Sequence, residues 1–457
     1  MSDDRKTEVF ERMPVPKAVL KLGMPSVLAC LVMILYNLAD TYFVGMLNDP
    51  IETSAVTLAA PVLLAFNAVN NLFGVGASSM MSRALGAKDE ATVRRSSAFG
   101  FYCALISGLL FSLLTFLLRM PLLKLLGADA VTNAATLSYL RWTVFLGAIP
   151  SILNVVLAYL IRAEGSAMHA SIGTMSGCAL NIVLDPIFIL PWGLNMGAAG
   201  AGCATFISNC VACLYFLIVL RIRRGKTAVC IRPKEFRFEK AIVTGVCGVG
   251  IPASIQNLLN VTGMTVLNNA LAGFGSEAVA AMGIAHKTTM IPMYVSMGIA
   301  QGVMPLIGYN FAAKNVKRMK QSVVFTAQLG MSFMVVATAA YYIFAAQITR
   351  VFMTNPTIVE YGTKFMRGLS LAQPFLAMDF LAVAVFQACG MGRLSLLFAV
   401  LRKIVLEIPA LLLLNRLFPM VGTAYAQLCA EVILAAAAVV FLMRIFRKLE
   451  AEAAYES

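Results

Sequence analysis

The feature that most constrains this chain is a succession of twelve apolar stretches, each long enough to cross a bilayer. A transmembrane helix needs about 20 such residues. The stretches run near 15–45, 53–81, 95–118, 134–161, 168–190, 197–220, 241–272, 278–308, 321–347, 361–390, 395–415 and 420–443. A backbone in lipid must satisfy its own hydrogen bonds, so runs of this length imply helices. The composition agrees: 60% of the 457 residues are hydrophobic and 13% charged, against about 25% charged in soluble domains. Too little polar surface exists to cover a soluble fold of this size. Disorder and a disulfide-built secreted scaffold are excluded on the same grounds, and most of the ten cysteines lie inside apolar runs. The expected fold is an all-α integral membrane protein.

The net charge of +14 is distributed by topology. Of the 36 Lys and Arg, 28 fall at the two termini and at the even-numbered junctions between stretches. Arg162, Arg393, Arg402 and Lys403 are counted among them. The opposite junctions carry only Arg119, Lys124, Arg350 and Arg416. By the positive-inside rule both termini are cytoplasmic, which an even number of spans requires. The charge therefore reads as topology and contact with anionic lipid, not nucleic-acid binding. No short apolar region precedes the first span, so no cleavable signal is expected.

One long polar insert, 221–240, lies mid-chain and divides two halves that resemble each other. Gly23-x-Pro25 opens the first and Gly250-x-Pro252 the second. Gly76–Ser97 aligns with Gly302–Val323, Arg162-Ala163-Glu164-Gly165 with Gln387-Ala388-Cys389-Gly390, and Gly200–Ala204 with Gly422–Ala426. The offset stays between 222 and 227. The expected organisation is a cytoplasmic segment 1–14, a six-helix lobe 15–220, a cytoplasmic linker 221–240, a second six-helix lobe 241–445 and a cytoplasmic tail 446–457. Two repeats that both begin on the cytoplasmic side are parallel, an arrangement of transporters that alternate access around a midplane site. No filter-like motif recurs fourfold, which disfavours a channel.

Five acidic residues fall inside the stretches: Asp40, Asp185, Asp379, Glu407 and Glu431. Each costs at least about 2.5 kcal/mol at a bilayer centre and so needs a partner or a task. Asn181 and Asp185 share a helix face at i,i+4, and Asn37 and Asp40 at i,i+3. Their oxygens suit a hard cation, or could hold a proton. Asp185 could instead only receive backbone N–H groups beside Pro186, and Asp40 could tie two helices. Asn154 points to the same lobe's cavity. Glu407, four residues after Lys403, is expected to form an internal ion pair.

The chain resembles the MATE (multidrug and toxic compound extrusion) family, nearest its bacterial MepA-like branch. The residues that carry the likeness are Asn37-Leu38-Ala39-Asp40-Thr41-Tyr42-Phe43-Val44-Gly45, Gly86-Ala87-Lys88, Arg162–Gly165, Asn181–Phe188 and Gly197–Ala201, over about residues 15–445. The resemblance implies twelve helices in two lobes and export of lipophilic, often cationic compounds in exchange for H⁺ or Na⁺. It implies that Asp40, Asn181, Asp185 and Thr205 form the coupling site, with a transient Na⁺ at Asp40 and Asp185 as the only metal and no cofactor. It also implies a plasma-membrane protein linked to antibiotic resistance, and a monomer is expected. Other branches place acids in spans seven and ten. Here Asp379 matches the second, but Gln256, Asn257 and Asn260 stand where the first would be. The acids of a complete second cation site are thus not all matched, and Asp379 reads either as a structural tether or as attracting a cationic substrate in a cavity with Gln256, Asn260, Met290 and Met293.

Of the 26 methionines, Met282, Met290, Met293, Met297 and Met304 line one span. Flexible thioethers suit surfaces that accept many shapes, though each could merely fill a gap. Cys210-x-x-Cys213 lacks a second ligand pair, and His169 and His286 have no metal spacing, His286 reading as surface beside Lys287. No phosphate-binding loop is present, so the chain is not its own ATPase, and no Ser-His-Asp arrangement supports an enzyme. The competing reading is a flippase for a lipid-linked precursor. It would need several cations in the cavity, for which Lys287, Lys364 and Arg367 are the few candidates.

Overall fold

In the computed structural model, which describes residues 4–456, the described chain is built of helices and their connections and contains no strand. A short helix α1 (Asp4–Glu11) leads into α2 (Val15–Gly45), α3 (Pro50–Gly86), α4 (Glu90–Leu117), a bent pair α5 (Asn133–Leu146 and Ala148–Ala163), α6 (Ala167–Ile189) and α7 (Ala198–Ile222). The second half supplies α8 (Lys240–Ala272), α9 (Ser276–Ala312), α10 (Val316–Ile343), α11 (Pro356–Ala388), α12 (Gly392–Val400, Leu401–Glu407 and Ile408–Leu417, end to end) and α13 (Gly422–Glu456).

Local chemistry sets the ends. Asp49 accepts from the Ile51 N–H at 2.8 Å with Pro50 in the first turn, and Asn355 does the same for Thr357 at 2.9 Å with Pro356. A side-chain acceptor and a proline without an N–H both relieve the unpaired amides of a helix start. The bend of 49° in α5 follows a wide-turn segment, Arg141–Leu146. It falls at Gly147, where a Cβ would meet the Thr143 carbonyl oxygen at 2.5 Å.

Ten described helices are long and apolar enough to cross a membrane, or eleven with α5 counted as one. The expected stretch 395–415 is not among them. It forms the helix α12, but Arg402, Lys403 and Glu407 fall in its middle. Arg402 and Lys403 are thus not junction residues, as the charge count had them. Arg402 is buried at 4% exposure, and both find carboxylate partners inside the protein.

The internal repeat is visible in the backbone. Left-handed residues recur at offsets of 225 to 227: Asn48 with Gly275, Lys88 with Lys314, Gly165 with Gly390 and Asn195 with Met420. Lys88 and Lys314 close the same turn in each half, followed by Asp89, which accepts from Thr92 N–H, and Asn315, which accepts from Arg318 N–H, each at 3.1 Å.

The chain divides into two compact units, Met1–Val9 with Leu28–Ser254, and Phe10–Val27 with Ile255–Ser457. This differs from the linear boundaries 15–220 and 241–445: the opening segment of each half packs with the other half's helices. Glycines make this possible. In the first unit Gly76 and Gly250 let α3 and the start of α8 touch backbone to backbone, at the Val246 and Leu72 carbonyl oxygens. In the second, Gly298 and Gly302 do so against Val27 and Leu22 of α2. A methyl group at any of the four would strike main chain. Phe10 stacks on Tyr309 at 4.9 Å, and Arg318 donates to the Phe10 and Met13 carbonyls, the latter at 2.6 Å.

Candidate functional site

The first unit holds the acidic pair. Gly177 on α6 faces the Ser208 carbonyl and Ala212 of α7, so the two helices approach closely. That brings Asn181 of α6 against Thr205 of α7. Asp185 is fully buried and Asn181 is 1% exposed. With its NH₂ toward the carboxylate, the Asn181 amide donates to Asp185 Oδ2 at 2.8 Å and Oδ1 at 3.2 Å. Its carbonyl accepts from Thr205 N–H at 3.0 Å and Thr205 Oγ1 at 3.2 Å. The opposite orientation would set a carbonyl oxygen against a carboxylate. The i,i+4 spacing in the sequence thus becomes one polar chain from Asp185 through Asn181 to α7.

Asp40, on α2, is half-buried, and its Oδ1 is closed off from solvent with no hydrogen-bond partner among the described residues. Asp185 lies within electrostatic reach of it, as do the phenols of Tyr36 and Tyr139. An unsatisfied, desolvated carboxylate oxygen is costly. Two carboxylates sharing a low-dielectric site repel unless a proton or cation stands between them. This geometry fits an exchangeable positive charge. It does not fit a transition metal: no group of three or more His, Cys, Asp and Glu suited to one occurs among the described residues.

Two expected members do not join. Asn37 is exposed, and its amide donates to Met33 O at 2.8 Å on its own helix. Asn154 is buried, but its NH₂ donates to Asn209 Oδ1 at 2.8 Å and Ser151 O at 3.3 Å, tying α5 to α7. Tyr36 and Tyr139 were not read from the sequence. Tyr36 lies one turn before Asp40 on the same helix, which was an available signal, whereas Tyr139 comes from α5, about a hundred residues away in sequence.

The second unit buries a larger ionic cluster. Arg402 Nε lies 2.7 Å from Glu431 Oε1 on α13, and its Nη1 3.4 Å from Asp379 Oδ2 on α11. Its guanidinium covers the Phe380 ring at 5.5 Å. Next to it, Lys403 Nζ donates to both Glu407 oxygens at 2.7 Å. His286 is half-buried beside this pair with Nε2 unpartnered, not at the surface as its neighbour Lys287 suggested. Asp379, then, has a protein cation as its partner. Among the described residues no hydrogen bond joins it to Gln256, Asn260, Met290 or Met293. Gln256 accepts from Gln387 at 3.5 Å, Asn260 and Met290 are exposed, and Met293 is half-buried. The missed residue is Arg402. Its signal was two buried acids in search of a cation, and a basic pair inside an apolar run.

Of the cations a flippase cavity would need, Lys364 is bound to Glu360 at 2.7 Å. Arg367 donates to Tyr342 O at 3.1 Å, and Lys287 is exposed.

The MatE family profile matches residues 25–187 and again 252–413, once per half. The chain is 35% identical over 446 residues to the multidrug export protein MepA of Staphylococcus aureus (strain NCTC 8325 / PS 47), covering 96% of this chain and 97% of that one. It is 33% identical over 445 residues to the same-named protein of Staphylococcus saprophyticus. Among solved structures it is similar to an outward-facing multidrug resistance MATE family transporter of the MOP superfamily. That match has a TM-score of 0.90 at 25% identity and covers 96% of this chain and 98% of that one. A MATE protein in a straight conformation gives 0.91 at 25% identity, with 98% and 99% covered.

Proposed function

The chain belongs to the MatE family, and from that premise we propose that it is a multidrug exporter driven by inward proton movement through Asp40 and Asp185. The observation that carries the reading is the pair itself, a buried Asp185 with a half-buried Asp40. Asp185 is sealed from solvent and held by Asn181, while Asp40 presents an oxygen with no hydrogen-bond partner among the described residues. A proton needs no oxygen ligands beyond the two carboxylates themselves, so H⁺ is taken as the coupling ion and the Na⁺ gradient is the competing arm of the test. The substrates are lipophilic cations, and the protein resides in the plasma membrane with its basic junctions and both termini in the cytoplasm.

Coupling follows from the ionic bookkeeping of the site. With both carboxylates charged, their repulsion favours one packing of α2 against α6 and α7. Neutralising them removes it and favours the other. A proton drives the change only through its different affinity for the two states. The test is export of a fluorescent cationic dye from proteoliposomes under separately imposed pH and Na⁺ gradients. Transport under the pH gradient alone, lost in Asp40→Asn and Asp185→Asn at unchanged protein yield, is the expected result. Gradient-driven export by Asp185→Asn would refute the site, and dependence on the Na⁺ gradient would refute the proton.

A further inference from the structure

We propose that the first unit carries a binding site for the phosphate headgroup of an anionic phospholipid, built where the inter-half linker is strapped against the end of α7. The linker is not a loose tether. Glu164, 7% exposed, accepts from Thr227 Oγ1 at 2.7 Å and from the Ala228 N–H at 2.6 Å. Ser97 holds Cys230 at both its carbonyl and its N–H, at 3.0 and 2.9 Å, and Tyr102 donates to Ile231 O at 2.8 Å. Phe236 then packs on Phe99 and Tyr102.

Between this strap, the start of α4 and the end of α7 lies a cavity of about 680 Å³. Arg94, Arg221, Arg224 and Arg232 line it, and Leu217 and Ile231 contribute to its apolar wall. One carboxylate is present, Glu90, and it is taken by Arg94 at 3.4 Å. Arg221, Arg224 and Arg232 are exposed and have no carboxylate partner among the described residues. Three guanidiniums without a carboxylate partner among the described residues line one hollow, and their planar donor geometry suits a phosphate.

Topology alone requires charges on one side, not a hollow with an apolar wall. A free phosphate has no use for that wall. An amphiphile with an anionic head uses both, and basic pockets between membrane helices on the cytoplasmic side recognise such heads. The level is right as well: α7 leaves its apolar run at Leu220 and Arg221, where a span meets the headgroup region.

The second unit has a basic hollow with a different charge balance. At the turn equivalent to Lys88–Asp89, Lys314, Lys317 and Lys320 line a cavity of about 940 Å³, but Glu450 lines it too and takes Lys320 at 2.8 Å. The leaflet assignment rests on the orientation proposed above.

The experiment uses the full chain in nanodiscs with a photoactivatable phosphatidylglycerol analogue, mapping the labelled peptides by mass spectrometry. Labelling within 217–232 is expected, displaced by unlabelled phosphatidylglycerol. It should weaken about fivefold per arginine removed, and on the order of a hundredfold in Arg221→Gln/Arg224→Gln/Arg232→Gln. The charge-matched control Arg444→Gln/Arg447→Gln/Lys448→Gln should label as the parent does. Equal labelling by a phosphatidylcholine analogue, full labelling of the triple arginine variant, or displacement by inorganic phosphate as effective as by lipid would each overturn the site. Dye export measured on the same preparations separates this outcome from failure of the transport reading, since loss of labelling with export intact concerns the lipid site alone.

Discussion

Replacing Arg402 by methionine removes the one cation that Asp379 and Glu431 share. Both acids are essentially without exposure, at 1% and 0%, and the closer contact to Arg402 is 2.7 Å. Breaking a buried pair from one side costs about 3–5 kcal/mol, because the stranded charge has neither water nor partner. Here two carboxylates are stranded, so the upper part of that range applies. The adjacent Lys403 is already committed to Glu407 and offers no replacement. Methionine gives up the guanidinium's position over the Phe380 ring but keeps an unbranched, polarisable side chain in the same space, which limits the packing loss. Asp379→Asn should behave differently. It leaves Arg402 with Glu431 and Lys403 with Glu407, two balanced pairs, and should cost only about 1 kcal/mol for the lost longer contact. Thermal unfolding of purified protein in detergent reads the contrast. For units of this size, Arg402→Met should unfold on the order of 10 °C lower than the parent, and Asp379→Asn within a few degrees of it. Equal destabilisation by the two variants, or a stable Arg402→Met, would refute the assignment of Arg402 as the shared counter-ion.

The remaining predictions concern other parts of the chain. Gly302→Val places methyl groups against the Leu22 main chain and should destabilise the second unit by more than about 3 kcal/mol, read as loss of monodisperse protein; wild-type yield would contradict the backbone contact. Glu164→Ala releases the strap at Thr227 and Ala228, so amide exchange over residues 227–231 should accelerate at least tenfold while α7 stays protected. Asp89, outside the membrane, caps α4; its hydrogen bonds with the Thr92 side chain and backbone hold its carboxyl below the ordinary value of 3.8. A lowered folded value means the cap's contribution is complete above that value and is lost as pH falls through the folded one. Exchange at the start of α4 should therefore quicken in strong acid in the parent, and Asp89→Ala, costing about 1 kcal/mol, should abolish that pH dependence.

Asn181 and Asp185 were legible because their relation is local: helical periodicity alone puts i and i+4 on one face. The same holds for Lys403 and Glu407, and for the turn at Lys88 that recurs at Lys314. Asn37 shows the limit. Its spacing from Asp40 is equally helical, yet α2 turns it outward, because which face of a helix meets protein is decided by its neighbours. Asp379 shows the limit again, since its partner Arg402 comes from a helix that local counting had placed at a cytoplasmic junction.

By itself, then, the sequence determined the helical class, the doubled halves and the acids that lipid would not tolerate unassisted. Each is a property of composition or of spacing along one chain. The structure alone decided which opening segment packs with which unit, where glycines admit backbone contact, and which cation answers each buried carboxylate. Those depend on side chains up to hundreds of residues apart meeting at a few ångströms, and Coulomb and packing energies act on that distance, not on separation in sequence.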